Sequence, residues 1–257
     1  MIIIPKLQAY AEQYKTLPMR PLKITADFAN PPAGYDYPHL DNILSKAVVW
    51  DVTGGKGLAP SSEPYFLPIP CVQAWVSDSG LPLWRTTDFL PQGQNEKEAA
   101  YWHKRKIHPH FVKRTKGKPI NIRGTEGADK EYRIPLPRNT AIEWVAYCDG
   151  NMEEIGRLLT LFHAIGKKTT QGHGALLSFR LEPIAEFSFF QQEKMLRPLP
   201  LGIFNFVGDA YLQGWTPPYW LPSTQLQSVP TMGKIKEMDN NVMQLTGKGG
   251  AKFPVDC

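Results

Sequence analysis

The chain has 257 residues, 42% of them apolar, enough to bury a sizeable core in one domain or in a domain with an insertion. No run approaches the roughly 20 uninterrupted apolar residues of a membrane helix, and the opening MIIIPKLQAY is too short, and too soon followed by charges, for a secretory signal; a globular, cytoplasmic protein is expected. Of the net charge of +5, eight Lys or Arg fall between residues 99 and 125 with no Asp or Glu among them, which leaves −3 on the rest of the chain. The positive charge is therefore one local patch on a mildly acidic body, the pattern that meets a polyanion.

In chain order, PLKITADFAN (21–30) alternates apolar and polar residues, with Leu22, Ile24, Ala26 and Phe28 on one face of a half-buried strand. PPAGYDYP breaks that pattern. HLDNILSKAVVW then sets Leu40, Ile43, Leu44 and Ala47 at helical spacing, completing a strand-loop-helix unit. CVQAWVSDSG and PLWRTTDFLP are β-prone runs joined through Ser79 and Gly80, as in a hairpin. Residues 92–125 are polar and basic, with a short helix predicted from Glu96 to Lys106, and read as an insertion projecting from the sheet.

A second unit follows. TAIEWVAYCDG is a strand, NMEEIGRLLTLFHAIG a helix capped by Asn151 with Glu153 and Glu154 in its first turn, and GALLSFRLEPI another strand. Two such units around an antiparallel sheet make the fold class α+β, ferredoxin-like or RRM-like. The chain is read as a single domain over 1–257, with a loop-rich aromatic extension at 193–257. The 24 prolines and 21 glycines favour short strands and long ordered loops over a helical bundle. Cys71, Cys148 and Cys257 lie far apart and lack C-x-x-C spacing, so they read as two packing residues and a loose terminus rather than a metal site or disulfide framework.

The strongest chemical signal is YWHKRKIHPHFVKRTKGK (101–118). Lys104, Arg105, Lys106, Lys113, Arg114, Lys116 and Lys118, with Arg123 beyond, supply cations for phosphates, while Trp102, His108, His110 and Phe111, beside Tyr101 and His103, supply rings that stack on or bracket unpaired bases. Single-stranded RNA suits that mixture. A solvated basic loop is the bland alternative, and an anionic membrane surface fits less well because no continuous apolar face accompanies the charges. The second signal is IGKKTTQGHG (165–174): Gly166, Gly172 and Gly174 let the backbone approach a ligand closely, and Lys167, Lys168, Thr169 and Gln171 offer donors to phosphate oxygens. Its competing reading is a helix C-cap and turn.

His103, His108 and His110 crowd together without a Cys, Asp or Glu, so no metal is expected, and no cofactor is implied. His39 and His173 are the candidates for metal-free general acid-base cleavage of RNA, although nothing in the sequence pairs them. Glu153 and Glu154 complement a helix dipole. Asp27, Asp36 and Asp41 are scattered, without the clustering of a two-metal nuclease.

The strand-loop-helix PLKITADFANPPAGYDYPHLDNILSKAV, the run GKKTTQGHGALLSFRLEP, and RPLP followed by GWTPPYWLP together resemble the type IV CRISPR-associated subunit of the Cas-five kind, within the RAMP superfamily of RRM-like proteins. The likeness touches residues 20–50 and 140–225. It implies a subunit that holds the 5′ handle of the guide RNA (crRNA), caps the backbone filament of an effector complex, and contacts the filament subunit and the large or small subunit that inspects the target-adjacent motif. Target DNA beside that motif and a DinG-like helicase are further implied partners. By the same resemblance, residues 88–140 form a thumb-like insertion and GKKTTQGHG, including His173, lies beside the handle. Two other readings remain: a metal-independent endoribonuclease that matures precursor crRNA through His173 and His39, and a basic adaptor that binds a protein through Tyr219 and Trp220 of the tail.

Overall fold

The computed structural model describes residues 1–34, 36–104, 132–203 and 206–238. The chain opens with helix α1 (Pro5–Lys15), which the sequence reading did not anticipate; Pro5 starts it at a position where its missing N–H costs nothing. Strand β1 (Arg20–Phe28) and helix α2 (Leu40–Thr53) follow, then the hairpin strands β2 (Gln73–Val76) and β3 (Pro82–Trp84), and the short strand β4 (Leu90–Pro91). Next come β5 (Lys97–Lys104), β6 (Tyr132–Asn139), β7 (Glu143–Gly150), α3 (Met152–Leu159) and β8 (Leu176–Pro183). The rest is short strands: β9 (Phe190–Gln191), β10 (Lys194–Met195), β11 (Leu199–Pro200), β12 (Phe206–Gly208), β13 (Tyr211–Gly214), β14 (Gln225–Val229) and β15 (Ile235–Met238).

The central sheet has the order β4-β7-β1-β8 with every pairing antiparallel. Since β1, β4, β7 and β8 are separated by α2 and α3 in a strand-helix-strand, strand-helix-strand sequence, this is the ferredoxin-like arrangement. The alternation in β1 decides which face is covered. Leu22, Ile24, Ala26 and Phe28 are buried and sit opposite Cys148, Ala146 and Trp144 of β7, and this face packs on Leu40, Leu44, Ala47 and Val48 of α2 and on Ile155 and Leu158 of α3. Asn151 caps α3 by accepting from the Glu154 N–H at 2.9 Å. On the other face, Arg180 pairs with Asp27 and Glu143, and Lys23 with Glu182. That surface is neutralised by its own ion pairs.

Two expectations need correction. The helix predicted from Glu96 to Lys106 is strand β5, paired with β6 from Lys97↔Asn139 to Lys104↔Tyr132. Helix-forming residues yield here to a non-local partner: Glu98 pairs with Arg138 across the ribbon, and the Arg133 guanidinium lies 3.8 Å over the Tyr101 ring on the diagonal. Helix α3 also stops at Leu159 rather than running to Gly166, because Phe162 and Ile165 turn back into the core from an irregular segment.

A second apolar cluster, with Leu81, Leu83, Phe187, Phe189, Met195, Leu199, Trp215 and Val229, lies between the β2/β3 hairpin and the tail strands. Strands β11, β14 and β13 form a three-stranded antiparallel sheet in that order. Cys71 and Cys148 are buried and unbridged, as packing residues, and burial pushes the Cys71 thiol up.

Candidate nucleic-acid interface

The tail is locked to α2 by a buried polar cluster. Asp41, in the first turn of α2, accepts from Arg197 Nη2 at 2.9 Å and from the Tyr219 hydroxyl at 2.8 Å. The same guanidinium donates to the carbonyls of Trp84 (3.0 Å) and Trp215 (2.6 Å) and to Thr86 Oγ1 (2.8 Å). Arg197 and Asp41 are each 1% exposed, and the bonds from the two terminal nitrogens of the guanidinium offset the desolvation of the charge, while its Nε has no partner among the described residues. Beside them His39 Nδ1 meets Asp88 Oδ1 at 2.7 Å, and Thr231 donates to the other Asp88 oxygen. Arg197 belongs to RPLP, and Trp215 and Tyr219 to GWTPPYWLP: the two tail motifs are one structural unit.

Above this cluster opens a cleft of about 880 Å3. Its walls are the 32–39 loop, the Asn42, Lys46 and Trp50 face of α2, the 161–170 segment, and Tyr219 with Trp220. Trp220 is 70% exposed, whereas Tyr219 is half-buried, its hydroxyl held in the polar cluster. Lys46 Nζ stands 4.4 Å over the Trp50 ring, whose other neighbour is Phe162. Flat rings with cations at hand are what a stacked base and its phosphate require.

The glycine run forms one rim. It does not cap α3, which ended at Leu159, but makes a closed loop: Ile165 N–H donates to Gly174 O at 2.9 Å, and a short 3-10 turn covers Thr169–Gln171. Lys167 N–H donates to Ala33 O at 2.8 Å and Gly174 N–H to Pro31 O at 3.1 Å, so the loop is pinned on the proline-rich loop. Gly174 has φ +65° and a Cβ there would lie 1.7 Å from Ile165 O, which no side chain tolerates. Gly166, Lys167, Thr169 and Thr170 line the cleft; Lys168, Gln171, Gly172, His173 and Gly174 do not.

The β5/β6 ribbon joins the cleft at its base. Gly34 N–H donates to Pro137 O at 2.9 Å, Ala33 bridges to Arg138, and Asn139 at the end of β6 lines the cleft. Trp102 and Lys104 lie on the backbone of β5, with exposed Tyr101 and His103 on the same strand. Arg105, Lys106, His108, His110, Phe111, Lys113, Arg114, Lys116, Lys118 and Arg123 lie outside the described residues, in the 105–131 segment that joins the far end of β5 to the start of β6.

The two histidines proposed for cleavage occupy different surroundings. His39 lines the cleft, ion-paired to Asp88 and stacked on Tyr219, while the histidine of the 161–170 wall is His163, and His173 is not among the lining residues. Burial alone pushes the His39 imidazole down, but the Asp88 carboxylate beside it, with Asp41 behind, raises it above its ordinary value. Tyr219, named from the sequence as a partner contact, is half-buried with its hydroxyl on Asp41, and Trp220 is the exposed ring of the pair. Asp41, Asp88 and Arg197 escaped the sequence reading as a unit because 156 positions separate Asp41 from Arg197. No cluster of metal-ligating side chains occurs among the described residues, and none of their helices is long and apolar enough to cross a membrane.

The sheet order, the covering helices and the ribbon beside the cleft define a ferredoxin-like α+β protein of the RAMP type. The model of a CRISPR type IV associated protein family, Csf3, matches residues 20–232, and the chain belongs to that family, the Cas-five-like subunits of type IV CRISPR effector complexes. The match spans the basic insertion, which none of the sequence motifs covered. No curated protein is detectably similar to the chain.

Proposed function

We propose that this subunit binds guide RNA, holding the 5′ handle of the crRNA between the basic ribbon and the cleft, and caps one end of the backbone filament. One observation carries the reading: the acid-free cationic segment of residues 99–125 begins on an exposed two-stranded ribbon whose base opens into a cleft walled by Trp50, Trp220, Lys46 and the glycine loop. Lys104, Arg105, Lys106, Lys113, Arg114, Lys116, Lys118 and Arg123 meet phosphates, and Trp102, His108, His110 and Phe111 meet bases. The solvent face of the central sheet, where Arg180 is engaged by Asp27 and Glu143, offers phosphates no comparable cation cluster. As a filament cap, the subunit contacts the filament subunit and the large or small subunit that reads the target-adjacent motif, close to target DNA, in a complex served by a DinG-like helicase.

The test is retention of guide RNA. Charge reversal of Lys104, Arg105 and Lys106 is expected to strip crRNA from the purified complex, and the affinity of the isolated chain for handle RNA should fall linearly in log-log coordinates with salt. Unchanged crRNA content in the reversed variant overturns the assignment. The same binding reactions, run with precursor crRNA in excess EDTA, read the nuclease alternative directly: the RNA is expected to remain intact, and cleavage lost on His173→Ala or His39→Ala would establish an endoribonuclease instead.

A further inference from the structure

From Ala210 to Gly233 the chain carries no Asp, Glu, Lys or Arg, although 21% of its residues are charged. This neutral stretch contains β13, the end strand of the β11-β14-β13 sheet, and among the described residues nothing pairs with its outer edge. Tyr211 and Leu212, successive residues that point to opposite faces, are 63% and 64% exposed. An open edge is a template for further strand pairing, and proteins blunt such edges with charges or proline. Two of the longer edges are blunted in that way: β8 carries Arg180 and Glu182, and β6 carries Arg133, Arg138, Pro135 and Pro137. β13 has none.

The edge is also fitted closely to the fold at one end and has a receptacle beside it. A Cβ on Gly214 would come within 2.2 Å of Tyr219 O, so the end of β13 is fitted against the residue whose hydroxyl anchors the buried Arg197–Asp41 cluster. A groove of about 430 Å3 lies against β13 and the start of β14, lined by Leu212, Gly214, Gln225, Pro198, Pro230 and Tyr219. Lys and Arg are absent from its lining, the His39 imidazole on it is taken up by Asp88, and Asp36 stands on its wall as a carboxylate. That sign of charge repels a phosphate backbone and accepts a cationic side chain next to an apolar one.

We propose that the outer edge of β13 receives an extended segment of another protein subunit of the complex, paired backbone to backbone with Tyr211–Gly214. The segment places an apolar side chain in the groove and a basic residue near Asp36. Main-chain hydrogen bonds supply affinity in such strand addition, and alternate side chains in pockets supply selectivity. The site is separate from the RNA surface and stands whether or not the ribbon binds RNA.

The complex, produced in cells with all its subunits and guide RNA, tests this with Tyr211→p-benzoylphenylalanine. Irradiation is expected to give an adduct to a different protein subunit, mapping to one continuous segment of it. Adducts to RNA only, to residues 239–257 of the same chain, to a second copy of this chain, or no adduct at all overturn the proposal. In parallel, Leu212→Lys is expected to reduce that subunit in the purified complex by about tenfold, while Leu177→Lys, at an exposed position on the charged edge of β8, leaves it unchanged. Wild-type subunit content in the Leu212→Lys complex also overturns it.

Discussion

The ring of Tyr219 lies flat on that of His39, with centroids 3.7 Å apart and planes 8° from parallel. One ring belongs to the tail and the other to the residue that precedes α2, so the stack joins two parts of the chain that sequence separates widely. Below it the Tyr219 hydroxyl reaches Asp41, and the His39 imidazole reaches Asp88. The cleft wall and the buried polar cluster are thus one piece, and the following outcomes depend on that.

Arg197→Met removes the cation that Asp41 faces and leaves a carboxylate buried at 1% exposure. Breaking a buried pair from one side costs about 3–5 kcal/mol, on the order of 10 °C in melting temperature for a chain of this size. Arg197→Lys is expected to recover little, because one ammonium cannot reach the carbonyls of Trp84 and Trp215 together with Asp41. Chemical denaturation of the three proteins measures the difference; equal midpoints would show the cluster to be energetically idle.

The His39 pair predicts a direction with pH. Its imidazole is raised above the ordinary value of 6.5 by Asp88, so the folded state holds that proton more tightly than the unfolded chain. The associated stabilisation is fully present below pH 6.5, declines as pH rises through the raised value, and is absent above it. The Asp88 and Asp41 carboxylates, the Arg197 guanidinium and the neutral Tyr219 phenol face the ring. Melting temperature followed from pH 5 to 9 should fall for the native chain and stay flatter for His39→Gln; parallel profiles would remove His39 from the account.

Gly174→Ala places a methyl group against Ile165 O at a left-handed φ, and the strain is expected to cost about 1–3 kcal/mol and to detach the 165–174 loop from the 31–33 loop. Gly172→Ala, at φ +86° but in open space, should cost less. Limited proteolysis within 165–174 reads the detachment, and equal resistance of both variants would argue against a pinned loop.

Trp220→Ala removes the exposed ring of the cleft. Loss of one stacked base amounts to about 1–3 kcal/mol, roughly 5- to 150-fold in affinity for handle RNA, with little change in melting temperature because the ring is 70% exposed. Affinity equal to the native chain's would exclude Trp220 from the RNA path.

The central layer was legible because its signals are local. Period-two alternation in residues 22–28 and helical spacing from Leu40 to Ala47 each name the face that must leave water, and Asn151 caps its helix with its own side chain. The 96–106 segment was misread for the converse reason. Lys97, Glu98, Ala99 and Ala100 are good helix formers, and only the presence of β6, across the 105–131 segment, makes them a strand. The basic segment was conspicuous as composition, yet composition alone did not show that it springs from a ribbon adjoining a cleft.

The sequence by itself determined the α+β class, the βαβ unit around α3, the basic segment and the family motifs, because periodicity, capping and charge clustering act over a few residues. Only the tertiary structure decided that Arg197, Asp41, Tyr219, Asp88 and His39 form one cluster, that Tyr219 is tied to Asp41 while Trp220 is exposed, and that β13 has an open edge. Those facts depend on which distant groups meet away from water, where an unpartnered charge is most costly, and no local pattern encodes that meeting.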